Sequence, residues 1–287
     1  MDISYKKIIN DLNNSSQNLT NTFFLQTCVK GDFELATELM TSRFLKFKPN
    51  IYHTNVTFAL DLPELNLPAI LLNPIMSASL LGNLEFVKLL MTPSENNLNP
   101  YKYSPEILLS SVINNHTHII DYLLTQLSEN DNDLNNNLIN YNHILGVCAK
   151  REYMDVIEKM VKHEKILPTL NFNPTHKTSP LMMASQQGKL NMVKYLLNSD
   201  TLPEKCDLYH CDENFWNALN YATVTQQKEV IQYFIFECNM KINENDLKYF
   251  KRMFPEGLKM LNARDLYLNI KSTLAPEINK KNSLKKI

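Results

Sequence analysis

The residues best equipped for chemistry lie in the stretch CDLYHC, which contains Cys206, His210 and Cys211. Cysteine sulfur and imidazole nitrogen are the ligands that zinc prefers, and a structural zinc site needs four of them within reach of one another. The stretch supplies three, so Cys238 would have to swing in as the fourth. The spacing therefore favours two ordinary cysteines and a surface histidine, and we predict no metal site.

A nucleophilic pair could be built from Cys148 and His143. However, Cys148 falls at a position that the repeats described below reserve for small packed residues, and a buried cysteine behaves as a small hydrophobic residue. The chain also lacks the H-E-x-x-H, G-x-S-x-G and paired C-x-x-C motifs. Five glycines leave no room for a phosphate-binding loop. We predict no catalytic residue, no cofactor and no small-molecule substrate.

Composition narrows the class of protein. Lys and Arg number 29 and Asp and Glu number 30, which argues against a general attraction to nucleic acid or to an anionic membrane. No stretch reaches the roughly 18 apolar residues of a membrane span, and the N-terminus lacks an apolar signal segment. Five cysteines without regular spacing suit a reducing compartment. These features predict a soluble cytoplasmic protein with no membrane partner.

Two stretches share one skeleton, SPLMMASQQGKLNMVKYLL and NPIMSASLLGNLEFVKLL. In each, a small residue follows the proline by four positions, a glycine follows by eight, and an apolar pair closes the segment. Aligning the rest of the chain on this skeleton gives six copies, which we call repeats 1 to 6. They start at Phe23, Pro74, Ile107, Ile144, Pro180 and Ala218. This spacing predicts a pair of short antiparallel helices in each repeat.

The glycine lies where the first helix must end and the chain must turn back. Gly31, Gly82 and Gly188 occupy this turn position, eight residues after the repeat start, and Asn115 is the next-best residue there. Glycine enters the left-handed conformation without the steric cost of a Cβ. Glu152 and Gln226 would each cost about 1–2 kcal/mol if that conformation is kept, so we expect the turns of repeats 4 and 6 to be irregular or weaker.

These repeats resemble the ankyrin family, whose repeat is about 33 residues long and begins T-P-L-H-x-A. The best matches are SPLMMA in repeat 5 and NPIMSA in repeat 2, and the resemblance covers about residues 20–240. No copy keeps the histidine, and the glycine expected in the β-turn before each start is missing, although Asp212 occupies the turn-Asp position. The resemblance implies an all-α ankyrin-like helix-turn-helix repeat solenoid with a helical C-terminal cap.

We divide the chain accordingly into four parts. Residues 1–20 are expected to form an N-terminal helix or cap, and residues 21–241 the six repeats, with an insertion at about 45–72. Residues 242–275 still read as amphipathic helices and would cap the last repeat. Residues 276–287 are polar and basic and are predicted to be disordered.

Ankyrin-like repeats commonly bind partners with their turn tips and the exposed end of each first helix. Carried over position by position, the resemblance implies a partner-binding set. Its members are Lys102, Tyr103, Lys150, Arg151, His176, Gln186, Gln187, Glu213, Asn214 and Trp216. Trp216, the only tryptophan, could equally pack against the β-turn of a neighbouring repeat. Leu80 and Leu81 lie at groove positions, either under the insertion or as an apolar anchor.

The resemblance implies a non-catalytic module that binds an unidentified protein through a concave face. The family occurs in eukaryotic regulators and in effectors that intracellular bacteria secrete into host cells. The Asn-, Lys- and Ile-rich composition resembles the effectors, whose partner would be a host protein. Two alternatives stay open. One is an enzyme with a cryptic site in the insertion or the C-terminal region, and the other is a nucleic-acid binder using Lys150, Arg151 and the basic tail.

Overall fold

The computed structural model describes residues 3–50, 59–60, 70–92, 104–130, 138–164, 166, 168–171 and 178–266. The predicted tail at 276–287 and most of the insertion at 45–72 lie outside these residues. The chain divides into two units, one formed by residues 1–147 and 162–168 and the other by residues 148–161 and 169–287. Each unit is described by itself.

The N-terminal unit begins with helix α1, Ile3–Asn13, and then continues as helix pairs. The pairs are α2 (Gln17–Val29) with α3 (Phe33–Thr41), α4 (Pro74–Leu81) with α5 (Leu84–Met91), and α6 (Ser104–Ile113) with α7 (Thr117–Asn130). The first helices α2, α4 and α6 pack on one another in that order. Within the insertion, two-residue strands β1 (Ala59–Leu60) and β2 (Ile70–Leu71) pair antiparallel, Ala59 opposite Leu71. Helix α8, Leu138–Arg151, crosses the division between the units.

The C-terminal unit contains α9 (Met154–Val161), α10 (Pro180–Gln186), α11 (Leu190–Asn198), α12 (Ala218–Val224) and α13 (Lys228–Gln232). A π-helical turn, Tyr233–Glu237, extends α13. Helix α14 (Glu244–Met253) and a helix over residues 255–266 follow. Helix α12 packs between α10 and α14, so α14 covers the last repeat as the predicted cap should.

The repeat skeleton explains these helices residue by residue. The residues one position after each start are all fully buried; they are Phe24, Ile75, Leu108, Leu145, Leu181 and Leu219. The small residues four positions after each start are buried too; they are Thr27, Ala78, Ser111, Cys148, Ala184 and Ala222. Pro74 is the first residue of α4 and follows the N-cap Asn73, and Pro180 is the first residue of α10 and follows the N-cap Ser179. The prediction of an all-α fold built from helix-turn-helix repeats is confirmed.

All six turn positions adopt the left-handed conformation. The φ angles are 79°, 82° and 68° at the glycines, 55° at Asn115, 62° at Glu152 and 58° at Gln226. In every repeat the next N–H donates to the carbonyl of the small residue, at 2.8–3.1 Å, as in a Schellman motif. The turns at Glu152 and Gln226 are therefore not irregular, because the hydrogen bonds of the turn hold those residues in the left-handed conformation. The alternative expectation, that these two turns are weaker, stays a prediction.

The strain at Gln226 can be measured by removing it. We expect Gln226→Gly to raise the free energy of unfolding by about 1 kcal/mol, since a left-handed residue with a Cβ costs about 1–2 kcal/mol and glycine returns part of that as chain entropy. Urea denaturation of the two proteins measures the difference. Asn115→Gly is the control and should change stability less, because asparagine tolerates this conformation. A destabilised Gln226→Gly protein would contradict the strain.

In repeats 3 and 6 the residue after the turn position forms a hydrogen bond to the preceding repeat. His116 of repeat 3 donates from Nε2 to the carbonyl of Leu80 at 2.9 Å. Gln227 of repeat 6 donates in the same way to the carbonyl of Gln186 at 3.2 Å. A Cβ added at Gly82 would lie 2.6 Å from the His116 ring. A Cβ added at Gly188 would meet the side-chain amide of Gln227. At these two turns both the left-handed conformation and the close approach of the neighbouring side chain favour glycine.

Candidate functional site

A β-turn in the C-terminal unit projects ahead of α12, over residues 212–216. The Phe215 N–H donates to the Asp212 carbonyl at 3.0 Å, and the Asp212 N–H donates to the Trp216 carbonyl at 2.9 Å. The Asp212 carboxylate closes the turn from inside. Its Oδ1 accepts the N–H groups of Asn214 at 2.8 Å and of Trp216 at 2.9 Å. This is the Asx-type geometry that favours aspartate at the start of a turn. We call residues 212–216 the finger.

The tip of the finger carries an exposed aromatic ring in a strained conformation. Phe215 is 77% exposed, the most exposed of the large hydrophobic side chains among the described residues. Its φ is 58°, the left-handed value that glycine enters readily and a phenylalanine rarely adopts. Phe215 therefore stands where the ankyrin pattern expects the missing turn glycine. The sequence shows that this glycine is absent, but Phe215, which takes its place, is not in the partner-binding set predicted from the sequence.

Trp216 lies against two tyrosines beside the finger. Its indole Nε1–H donates to the Tyr249 hydroxyl at 2.6 Å, and the two ring centroids are 5.0 Å apart. The Tyr221 ring lies 5.5 Å away, also edge to face, and the Tyr221 hydroxyl donates to Oδ2 of Asp212 at 2.8 Å. Trp216 is half-buried, so its ring packs against the two tyrosines while part of it stays exposed to solvent. Both predicted roles for Trp216, packing and binding, are compatible with this position.

An open pocket of about 410 Å³ lies at this cluster. Asp212, Asn214, Trp216, Tyr221 and Tyr249 line it. Burial raises the pKa of the Tyr221 phenol, and the hydrogen bond to Asp212 and the negative charges of Asp212 and Glu213 raise that pKa further. The pocket is therefore lined by three aromatic rings and the carboxylate of Asp212.

The other predicted binding residues fall at several places. Arg151 and Gln187 are exposed at the ends of α8 and α10, Gln186 is half-exposed, and Glu213 is exposed in the finger. Lys150 is only 6% exposed, so we no longer propose it as a contact residue. Lys102, Tyr103 and His176 lie outside the described residues. The structure thus brings Asn214 and Trp216 together in one pocket, which Arg151 and the two glutamines do not line.

The described residues give little support to a catalytic cysteine at Cys148 or to a metal site at Cys206 and Cys211. Cys148 is fully buried, and burial raises the pKa of its thiol, which disfavours the reactive thiolate. Cys206 is buried and donates from Sγ to the Leu170 carbonyl at 3.5 Å, whereas Cys211 is exposed. Within the described parts of the chain, no three His, Cys, Asp or Glu side chains are grouped so that they could hold a metal ion.

A family model for ankyrin repeats in three copies matches residues 108–207 and again residues 145–246. Residues 108–246 therefore belong to the ankyrin repeat family, and the resemblance seen in the sequence is confirmed. The first two repeats, which precede the matched region, form the same turn hydrogen bonds as the matched ones. None of the curated protein sequences matches this chain. Across the described helices, none combines the length and apolar character needed to span a bilayer.

Many solved structures are similar to this chain, and two are described here. One is a chain from the structure of a predatory endopeptidase from Bdellovibrio bacteriovorus in complex with an immunity protein, with 15% identity over 76% of this chain and 96% of that chain, and a TM-score of 0.48. The other is an ankyrin repeat domain from Acinetobacter baumannii, with 14% identity over 67% of this chain and 97% of that chain, and a TM-score of 0.46.

Proposed function

We propose that this chain is a non-catalytic protein-binding module and that the finger and its pocket contact the partner. Ankyrin repeats are protein-interaction modules, and their stacked repeats present extended binding surfaces. The observation that carries the proposal is Phe215, an exposed aromatic residue in a left-handed turn. Stability alone favours glycine or asparagine there, because a bulky residue at positive φ is strained. Strained conformations of this kind cluster at functional sites.

The neighbours of Phe215 support the same surface. Trp, Tyr and Arg are the residue types most enriched among binding hot spots. Trp216 and Tyr249 hold each other through a hydrogen bond and a ring contact, so these large contact groups are fixed before a partner arrives. The proposed partner-binding set loses only Lys150 and gains Phe215. It then consists of Lys102, Tyr103, Arg151, His176, Gln186, Gln187, Glu213, Asn214, Phe215 and Trp216.

The source of the partner is proposed on composition. The 36 asparagines and the divergent repeats resemble bacterial effectors of the ankyrin class, which act on host proteins. Lysate of a eukaryotic host cell is therefore the material from which we would first seek a partner.

Binding and stability should respond in opposite directions to Phe215→Gly. We expect partner retention in affinity capture to fall at least about tenfold, the effect of losing one hot-spot residue. Relief of the left-handed strain should raise the free energy of unfolding by about 1 kcal/mol. Quantitative mass spectrometry of captured proteins and urea denaturation measure the two effects.

Phe236→Ala is the matched control, since Phe236 is an exposed phenylalanine in the same unit, away from the finger. It should retain the partner. Equal retention by wild type and Phe215→Gly would remove the finger from the interface. The absence of any specifically captured protein would weaken the binding function itself.

A further inference from the structure

The pocket beside the finger contains a carboxylate that forms no ion pair with any residue the structure describes. Asp212 is 7% exposed, and its carboxylate accepts two N–H groups on Oδ1 and the Tyr221 hydroxyl on Oδ2. A carboxylate has about four acceptor positions, so Oδ2 can accept one more hydrogen bond. Among the residues that the structure describes, no Lys, Arg or His lies within ion-pair distance of Asp212. The negative charge is thus available to a ligand that enters the pocket.

The remaining walls suit a cation as well. Trp216, Tyr221 and Tyr249 provide aromatic rings, and the negative face of such a ring attracts a cation, most strongly in tryptophan. Asn214 contributes an amide that can accept a hydrogen bond through its oxygen. The volume of about 410 Å³ falls within the range of small-ligand pockets. Burial is the main cause of the raised pKa of the Tyr221 phenol, and the hydrogen bond to Asp212 and the charges of Asp212 and Glu213 raise that pKa further.

We propose that this pocket binds an arginine side chain of the partner protein. A guanidinium group is planar, carries five N–H donors and stacks on aromatic rings, and it is less strongly hydrated than an ammonium group. It can therefore contact the Trp216 and tyrosine rings and donate to Oδ2 of Asp212 and to the Asn214 amide oxygen at once. This inference rests on the proposed protein-binding function, which it extends by naming the group recognised.

The only tryptophan of the chain lines the pocket, so its fluorescence reports occupancy directly. We would titrate the full chain with Nα-acetyl-arginine amide at constant ionic strength. The matched ligand is Nα-acetyl-citrulline amide, which has nearly the same shape and no charge. We expect a saturable change with the arginine derivative in the millimolar range and at least about tenfold weaker binding of the citrulline derivative, because each charge-assisted contact is lost.

Asp212→Asn tests the carboxylate while keeping an Oδ1 acceptor for the two N–H groups of the turn. Binding of the arginine derivative should fall at least about tenfold, with the circular dichroism spectrum and unfolding midpoint close to wild type. If this variant loses its fold, Tyr249→Phe replaces it; that variant keeps the ring but removes the hydroxyl that fixes Trp216, and it should weaken arginine binding by a smaller factor. Unchanged arginine binding in a folded Asp212→Asn protein would overturn the proposal.

Equal responses to the arginine and citrulline derivatives, or no saturable response, would also overturn it, and tighter binding of Nα-acetyl-lysine amide would overturn the choice of arginine. Partner capture by the wild-type chain separates this inference from the function on which it rests. Phe236→Ala is the control, since Phe236 lies outside the finger and does not line the pocket, and it should bind the arginine derivative like wild type. If the wild-type chain captures a partner but gives no saturable response to arginine, the protein-binding function stands and the arginine pocket does not.

Discussion

Replacing Asp246 with alanine is expected to lower the free energy of unfolding of the C-terminal unit by about 3 kcal/mol. Asp246 is 1% exposed. Its Oδ1 accepts the side-chain amides of Asn217 at 3.1 Å and of Asn220 at 2.9 Å, and its Oδ2 accepts the Asn243 N–H at 3.0 Å. Alanine would leave these donors without their acceptor. Hydrogen bonds to a charged group contribute about 1.5–3 kcal/mol, and each buried donor left unsatisfied costs about 1–3 kcal/mol.

The effect should be large because this carboxylate joins two helix starts. Asn217 and Asn220 form the capping box of α12, and Asn243 and Asp246 form that of α14. Asp246 therefore belongs to its own cap and also holds the cap of the last repeat. Losing it should loosen the contact between α12 and α14, through which the C-terminal helices cover repeat 6.

Urea denaturation of the full chain measures this prediction. Trp216 fluorescence reports on the C-terminal unit, since the only tryptophan lies there. Glu244→Ala is the matched control, because it removes an exposed carboxylate from the first turn of the same helix. That change should cost less than about 1 kcal/mol, mainly through the helix dipole. If the two variants lose the same stability, the buried network does not hold the cap.

The second large effect is expected at Gly82. Gly82→Ala should lower the free energy of unfolding by about 2–3 kcal/mol, of which about 1 kcal/mol is the conformational strain of a left-handed alanine. The rest comes from His116. The new Cβ would lie 2.6 Å from the His116 ring, so the ring must move away and give up its hydrogen bond to Leu80.

Gly31→Ala is the control, since Gly31 has a similar φ and an added Cβ meets no atom closer than 3.5 Å. It should show the conformational strain alone, about 1 kcal/mol. Introducing His116→Ala first removes the clash, so Gly82→Ala made in that background should cost no more than Gly31→Ala. A Gly82→Ala cost equal to that of Gly31→Ala in the wild-type background would show that the histidine moves aside freely. Thermal or urea unfolding of wild type, Gly82→Ala, His116→Ala and the double variant gives the double-mutant cycle, and Gly31→Ala is measured beside them.

Much of the fold could be predicted from the sequence because the same pattern of buried positions recurs in all six repeats. A small residue four positions after the start recurs in every copy, and all six are buried at helix contacts. The turn position was predicted from three glycines and an asparagine. What the sequence could not reveal is that Glu152 and Gln226 take the same conformation. The backbone hydrogen bonds of the turn decide this, and they depend little on the side chain.

The site was predictable only in part. Trp216 and Asn214 follow from their places before the start of repeat 6. Phe215 does not follow from the repeat pattern, because the pattern expects a glycine in this turn, whereas here the Asp212 carboxylate holds the turn through two N–H groups. Tyr249 and Asp246 come from α14, 33 residues after Trp216 and 26 after Asn220. Such contacts require the stacking of α14 on α12, which no local pattern contains.

The contacts of three turn positions, Gly82, Glu152 and Gly188, with the following repeat restrict the order in which repeats can occur. Gly188 leaves room for Gln227 of repeat 6, whereas Glu152 forms an ion pair with Lys189 of repeat 5 at 3.3 Å. Loss of repeat 5 by unequal recombination would place Gln227 against Glu152, replacing a close fit and an ion pair with a crowded, unmatched contact. The repeats of this chain are therefore adapted to their neighbours, and evolution by shuffling whole repeats would require paired changes on both sides of each new junction.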